Sequence, residues 1–276
     1  MPAPLPVFKI ISGAFVFLWE NKKRVLRALL VPVAVLFTIE ISPLIINFAA
    51  YLEKIPFFLA ILFSLGSSVI YYAAYVLFAI TCHRLVLMKN TSVPAYGMFS
   101  WTRREWWFLA YLIILPLVYF LSVALFLMAK GLLMEFDIKI ESFQMLFAKG
   151  DGMVLLILLV ALPSVYIFSK FSLLLPATAV DRDVDVDWAW KTSRKNGWRL
   201  IIIIVLLPLV FGLLQGGLIL MGTIWPENTI SMLIESSTYL LVYLILLAIQ
   251  IVALSLSYKH LTENEVIEVK EEATTA

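Results

Sequence analysis

Six stretches of this chain run for about 20 residues with almost no charge, the length a helix needs to cross the hydrocarbon core of a bilayer. They lie near residues 28–49, 57–80, 107–129, 153–177, 200–222 and 236–257. In hydrocarbon every backbone N–H and C=O must bond within the protein, so each stretch is expected to be a helix. Of the 276 residues, 62% are hydrophobic and 14% are charged, against about 25% charged in a soluble domain. That is too little polar surface to coat a water-soluble globule. The expected fold is all-α and polytopic, with residues 1–258 forming one domain of six transmembrane helices. Residues 259–276, ending in "TENEVIEVKEEATTA", are polar and acidic and read as a disordered tail. The apolar run at 5–19 is broken by Lys9 and Ser12-Gly13 and has no basic region before it, so it does not read as a cleaved signal. The first span is then an uncleaved anchor. A single cysteine, Cys82, excludes an intrachain disulfide.

The cations between the spans set an orientation. With six spans, sixteen of the 21 lysines and arginines fall on the side that holds both termini, four fall on the other, and Lys170 lies within a span. Positive charge is retained in the cytoplasm, which places both termini there. Tryptophan repeats the asymmetry. Trp19, Trp101, Trp106, Trp107, Trp188, Trp190 and Trp198 share the basic side, with only Trp225 opposite. Interfacial tryptophan ordinarily marks both surfaces, so the inner leaflet is expected to carry extra interfacial structure.

Three segments share a pattern: "FVFLWENKKRVLRALLVPVAVLF" (15–37), "FSWTRREWWFLAYLIILPLVYF" (99–120) and "AWKTSRKNGWRLIIIIVLLPLVF" (189–211). Each has aromatics, a basic knot, then an aliphatic run with a proline, at Pro32, Pro116 and Pro208. Each unit is expected to be a cytoplasmic surface helix followed by a transmembrane hairpin. Internal repeats are common in transport folds, and simple duplication also produces them. In the first unit Phe8, Ile11, Phe15 and Leu18 recur at helical spacing, as in a helix lying in the headgroup plane. In the third, helix initiation falls at Asp187, cations close the run and Gly197 follows as the stop. Inner-leaflet anchoring is therefore assigned to Trp19, Lys22, Lys23, Arg24, Arg103, Arg104, Trp106, Trp107, Trp190, Lys191, Arg194, Lys195 and Trp198. The expected partners are membrane lipids with anionic headgroups, with room for a protein partner and none for nucleic acid.

Two ionisable residues fall inside spans. Glu40 is ~20 Å along its helix from Arg27, and Lys170 is ~16 Å back from Asp181, at the helical rise. Similar depth suggests an intramembrane Glu40–Lys170 charge pair. Alternatively Lys170 extends to the cytoplasm while Glu40 reaches the outer headgroups or is protonated. Gly212 and Gly216 have the spacing of close helix packing, within this chain or against another. "DRDVDVD" (181–187) resembles a calcium loop, but Val186 and Thr192 stand where that loop needs Gly and Glu, so no metal is assigned. His83 and His260 read as interfacial borders. No catalytic constellation, phosphate loop or cofactor motif is present.

Residues 169–200, "SKFSLLLPATAVDRDVDVDWAWKTSRKNGWRL", combine a Leu-Pro-Ala span end, a Trp-bearing helix and a Gly-Trp entry to the next span. This resembles an uncharacterised bacterial six-helix inner-membrane protein family, related to the membrane domain fused to some glycerophosphodiester phosphodiesterases. The resemblance implies a bacterial inner-membrane location and an architecture. The phosphodiesterase chemistry does not carry over, because two distant histidines cannot form its metal cluster. The expectation is a non-catalytic membrane protein that organises lipid or supports a membrane complex, or a small flippase-like carrier of an apolar or amphiphilic substrate.

Overall fold

The apolar runs become helices, and small residues decide where those helices meet. A computed structural model of the chain describes residues 4–45, 56–88, 101–135, 162–222 and 229–275. Within them the helices are α1 (Val7–Glu20), α2 (Lys22–Ile45), α3 (Phe57–Leu87), α4 (Arg103–Glu135), α5 (162–171), α6 (Leu174–Ala179), α7 (Val186–Thr192), α8 (Gly197–Ile201), α9 (Leu207–Gly222) and α10 (Thr229–Thr275). A π-helical turn, Ile202–Leu206, joins α8 to α9. No strand occurs among the described residues. Four stretches are long and apolar enough to cross a membrane: Phe57–Leu87, Leu162–Ala179, Gly197–Gly217 and Ser231–Glu263. The chain is accordingly a membrane protein. The expected spans at 28–49 and 107–129 fall on α2 and α4, and the far ends of both lie outside the described side chains.

α10 is the centre of the bundle. Leu247, Ala248, Ile249, Ile251, Val252 and Ala253 are all buried, and a helix apolar round its circumference belongs in an interior. One core joins it to Leu5, to α1 through Ile10 and Ala14, and to Leu200 and Ile203. The other joins it to Leu29 and Leu36 of α2, to Val76, Phe78 and Ile80 of α3, and to Phe108 of α4. Ala248, Ala253, Ser255 and Ser257 let neighbouring backbones approach. The two serine hydroxyls donate back to the carbonyls of Ile251 and Ala253, so burying them leaves no donor unmet.

Packing is concentrated at one end. The buried residues of α3 all lie between positions 74 and 85, while Phe57, Phe58, Leu59, Leu62 and Phe63 are exposed. Leu213 and Leu214 of α9 and Met232 and Ile234 of α10 are exposed too. In lipid these faces are solvated rather than bare.

α1 lies against α10 through Val7, Ile10 and Ala14 and turns Phe8 (88% exposed), Phe15 and Trp19 outward. This is the expected amphipathic surface helix, with one correction. Ile11 and Leu18 pack against the core, so Trp19 replaces Leu18 on the outward face. The third surface helix, α7, is capped by Asp185 and not Asp187. The Asp185 carboxylate accepts the Trp188 N–H at 2.7 Å.

Gly197 is not that helix's stop. α7 ends at Thr192, Lys195 takes the left-handed backbone (φ 69°), and Gly197 opens α8. The glycine is required by close approach, because a Cβ there would stand 2.5 Å from the Tyr166 ring. The tail also departs from expectation. α10 continues through it as helix to Thr275, its backbone bonds extending the span without a break.

Pro116 sits inside an unbroken α4, whereas Pro208 follows the π turn, whose Leu207 N–H bonds to the Ile202 carbonyl. Proline has no N–H and crowds the preceding turn, and a widened turn relieves that clash.

Gly197→Ala should destabilise the protein by about 1–3 kcal/mol through overpacking. Gly216→Ala, whose added Cβ meets nothing within 4 Å, should stay within about 0.5 kcal/mol of the parent. Thermal unfolding in detergent of the two variants side by side measures the contrast.

Candidate functional site

The polar chemistry gathers at the packed end. Thr102 precedes α4, and its N–H and hydroxyl both donate to the Glu105 carboxylate, the N–H at 2.7 Å. This closes one half of a Thr-x-x-Glu capping box. Arg104 donates to Glu105 Oε1 from Nε and Nη2 at 2.9 and 2.6 Å, and from Nη1 to both Asp181 oxygens at 3.0 and 2.9 Å. Arg84, near the end of α3, donates to Asp181 Oδ2 at 2.8 Å and to the Ala179 carbonyl at 3.1 Å. Both arginine side chains are 9% exposed. Asp181 adopts a left-handed backbone (φ 59°), which Asp tolerates better than most residues. One carboxylate thus fastens the end of α3, the start of α4 and the link after α6. Two cations meet two carboxylates, so the cluster is neutral. Burial alone would raise the Glu105 carboxyl, but hydrogen bonds from Thr102 and Arg104 outweigh it and hold the group below its ordinary value.

His83, expected at the surface, is buried against Phe108, and its Nδ1 lies 2.7 Å from Ser255 Oγ. The Ser255 hydroxyl already donates to Ile251. Its oxygen therefore accepts, and the histidine proton sits on Nδ1. The N-terminal strap is held by Asn196, whose Oδ1 accepts the Leu5 N–H at 2.9 Å.

Lys170 and Glu40 do not pair among the described residues. Lys170 is buried, 4% exposed, with its ammonium 3.6 Å from the Trp190 ring centroid and 5.1 Å from that of Tyr166. Glu40 is exposed on α2, within electrostatic reach of Tyr71 and Tyr243. The depth argument failed because the helix breaks at Ser172–Leu173. Residues beyond the break do not extend the rod, and Lys170 comes level with α7.

Most residues of the basic–aromatic collar are exposed. Trp19 is exposed beneath Lys22, whose ammonium is 4.3 Å from the ring. Lys23, Arg103, Arg194 and Lys195 are exposed, and Arg24 is half-buried. Trp106, Trp107, Trp190 and Trp198 all present exposed surface. Lys191 is exposed and paired with Asp187 one turn before it. Arg104 is the exception, because its guanidinium serves Asp181 and Glu105 rather than the leaflet. For Gly212 and Gly216, of the two alternatives for their packing only the one against another chain is left. A Cβ on either meets nothing within 4 Å, so they pack on no helix of this chain among the described residues.

Three aspartates of the 181–187 run are engaged within the chain. Asp181 serves two arginines, Asp185 caps α7 and Asp187 meets Lys191. No group of three metal-ligating side chains occurs among the described residues. Sequence reasoning missed Arg84, Glu105 and Asp181 as a unit. Only the Thr-x-x-Glu spacing at 102–105 announced any of it. Comparison with protein-family models, curated proteins and solved structures found no match.

Asp181→Asn should lower stability by about 1.5 kcal/mol, the low end for hydrogen bonds to charged groups because the carboxylate is half-exposed. Glu105 supplies a pH signature. Its folded value is lowered, so its contribution is complete above the ordinary carboxylate range and disappears as pH falls through the folded value. Stability followed from neutral pH to below about pH 4 should fall less steeply in Glu105→Gln than in the parent.

Proposed function

We propose that this chain is a non-catalytic six-helix protein of the bacterial inner membrane, with both termini cytoplasmic, which organises lipid of the inner leaflet. The observation that carries the reading is the outward face of α1, where Phe8, Phe15 and Trp19 stand clear of the core beside Lys22 and Lys23. A helix with this face lies in the headgroup region, aromatics down and cations toward anionic lipid. The collar of Trp106, Trp107, Trp190 and Trp198 continues the same surface around the bundle. The threefold repeat is supported in two of its units. α1 leads through Asn21 into α2, and α7 leads through Asn196 into α8, each a short helix, a turn and a span. The residues leading into the second unit lie partly outside the described ones. The resemblance in residues 169–200 fits the same reading. A carrier of an amphiphilic substrate is the second reading, favoured by the π turn at Pro208, since broken helices accompany transport sites.

Native mass spectrometry of the protein in mild detergent should show the chain retaining anionic phospholipid without a stoichiometric protein. A defined protein partner would make it an accessory subunit instead, and a retained small solute would favour the carrier. Orientation is checked separately. A cysteine replacing the exposed Lys191 should react with an impermeant maleimide in inside-out vesicles and not in right-side-out ones, against the silent background of buried Cys82. The opposite labelling would reverse the topology.

A further inference from the structure

We infer that the Lys170 ammonium and the cleft beside it form a binding site for a single anionic phospholipid of the inner leaflet, a deeper reading that rests on the proposed lipid role. Lys170 is the observation that demands an explanation. Its side chain is 4% exposed, it has no carboxylate partner among the described residues, and its contacts are the faces of Trp190 and Tyr166. Buried cations are ordinarily paired, and aromatic faces stabilise the ammonium without neutralising it. The described contacts give the ammonium no counter-charge.

Tyr166 is the hinge of the argument, because its ring serves two places at once. It faces the ammonium, and it also lines a cleft of 380 Å³ with Leu162, Pro163 and Trp198. The Tyr166 and Trp198 centroids are 5.4 Å apart. The cleft walls face outward, with Leu162 49% and Trp198 62% exposed. Gly197 fixes this geometry by letting α8 press against the tyrosine ring. A groove with apolar walls that shares its Tyr166 ring with a buried cation at the Trp-rich border matches one molecule: an acyl chain in the groove and a phosphate drawn toward the ammonium across that ring. Charge complementarity selects an anionic headgroup over a zwitterionic one.

The purified full-length chain in mild detergent is titrated with phosphatidylglycerol, phosphatidylcholine or inorganic phosphate, and bound molecules are counted by native mass spectrometry. The expected result is one phosphatidylglycerol held about fivefold more tightly than phosphatidylcholine, the advantage of one cation near the surface, with inorganic phosphate not competing. Lys170→Met should abolish the preference, while Lys259→Met, which removes an exposed cation outside the collar, keeps it. Leu162→Trp fills the groove, leaves the ammonium in place and should weaken both lipids. It decides the matter if Lys170→Met does not fold. Equal binding of the two lipids, an unchanged preference in a folded Lys170→Met chain, or undiminished binding of both lipids in a folded Leu162→Trp chain overturns the site while leaving the wider lipid role standing. Displacement by inorganic phosphate overturns the lipid assignment. A parent chain that carries a protein partner and no lipid overturns both.

Discussion

The architecture depends on one carboxylate accepting from two buried arginines. Arg84 and Arg104 belong to different helices, and each would be costly to bury alone. Asp181 lies far from both in sequence, yet its left-handed backbone aims the side chain at the two guanidiniums together. That single contact fixes where α6 ends, and hence where α7 lies and which side of α5 it covers. The burial of Lys170 under Trp190 follows from the same placement. Removing the charge from Asp181 therefore reaches further than its half-exposed position suggests, because two cations and three chain segments share it.

Away from this end, the lipid does what a core does in water. A soluble helix must cover its leucines, whereas Phe57–Leu87 exposes most of its apolar half without penalty in hydrocarbon. Association within the bundle must then come from close packing and from polar contacts, not from hiding apolar area. α10 meets both requirements. Its alanines and serines admit neighbours, and the Ser255 oxygen accepts a hydrogen bond from the His83 Nδ1–H of α3.

The fold class was legible because lipid leaves the backbone few choices, and four spans emerge where uncharged runs stand in the chain. The exposure of most collar residues was legible as well, since charged and amphipathic side chains keep their polar ends out of a packed core. What the sequence hid were contacts that depend on chain path. Arg84 and Arg104 looked like two more border cations until the link after α6 brought a carboxylate to them. Lys170 and Glu40 looked paired because residue counting assumes a straight rod, and the turn at Ser172–Leu173 removes that assumption. Gly197 looked like a helix stop, and it is a contact surface for Tyr166. Gly212 and Gly216 have the spacing of a packing motif, but spacing does not supply a neighbour.

The uneven packing has a mechanical consequence. Helices tied together at one end and solvated by lipid along the rest behave as fingers joined at a palm. When a bilayer thickens or thins, a helix answers the mismatch by changing its tilt, at fractions of a kcal/mol per Å. In this bundle the exposed lengths of α3 and α9 are the parts free to answer in this way. The splay of these exposed lengths then follows the thickness of the surrounding membrane, while the packed end holds its shape.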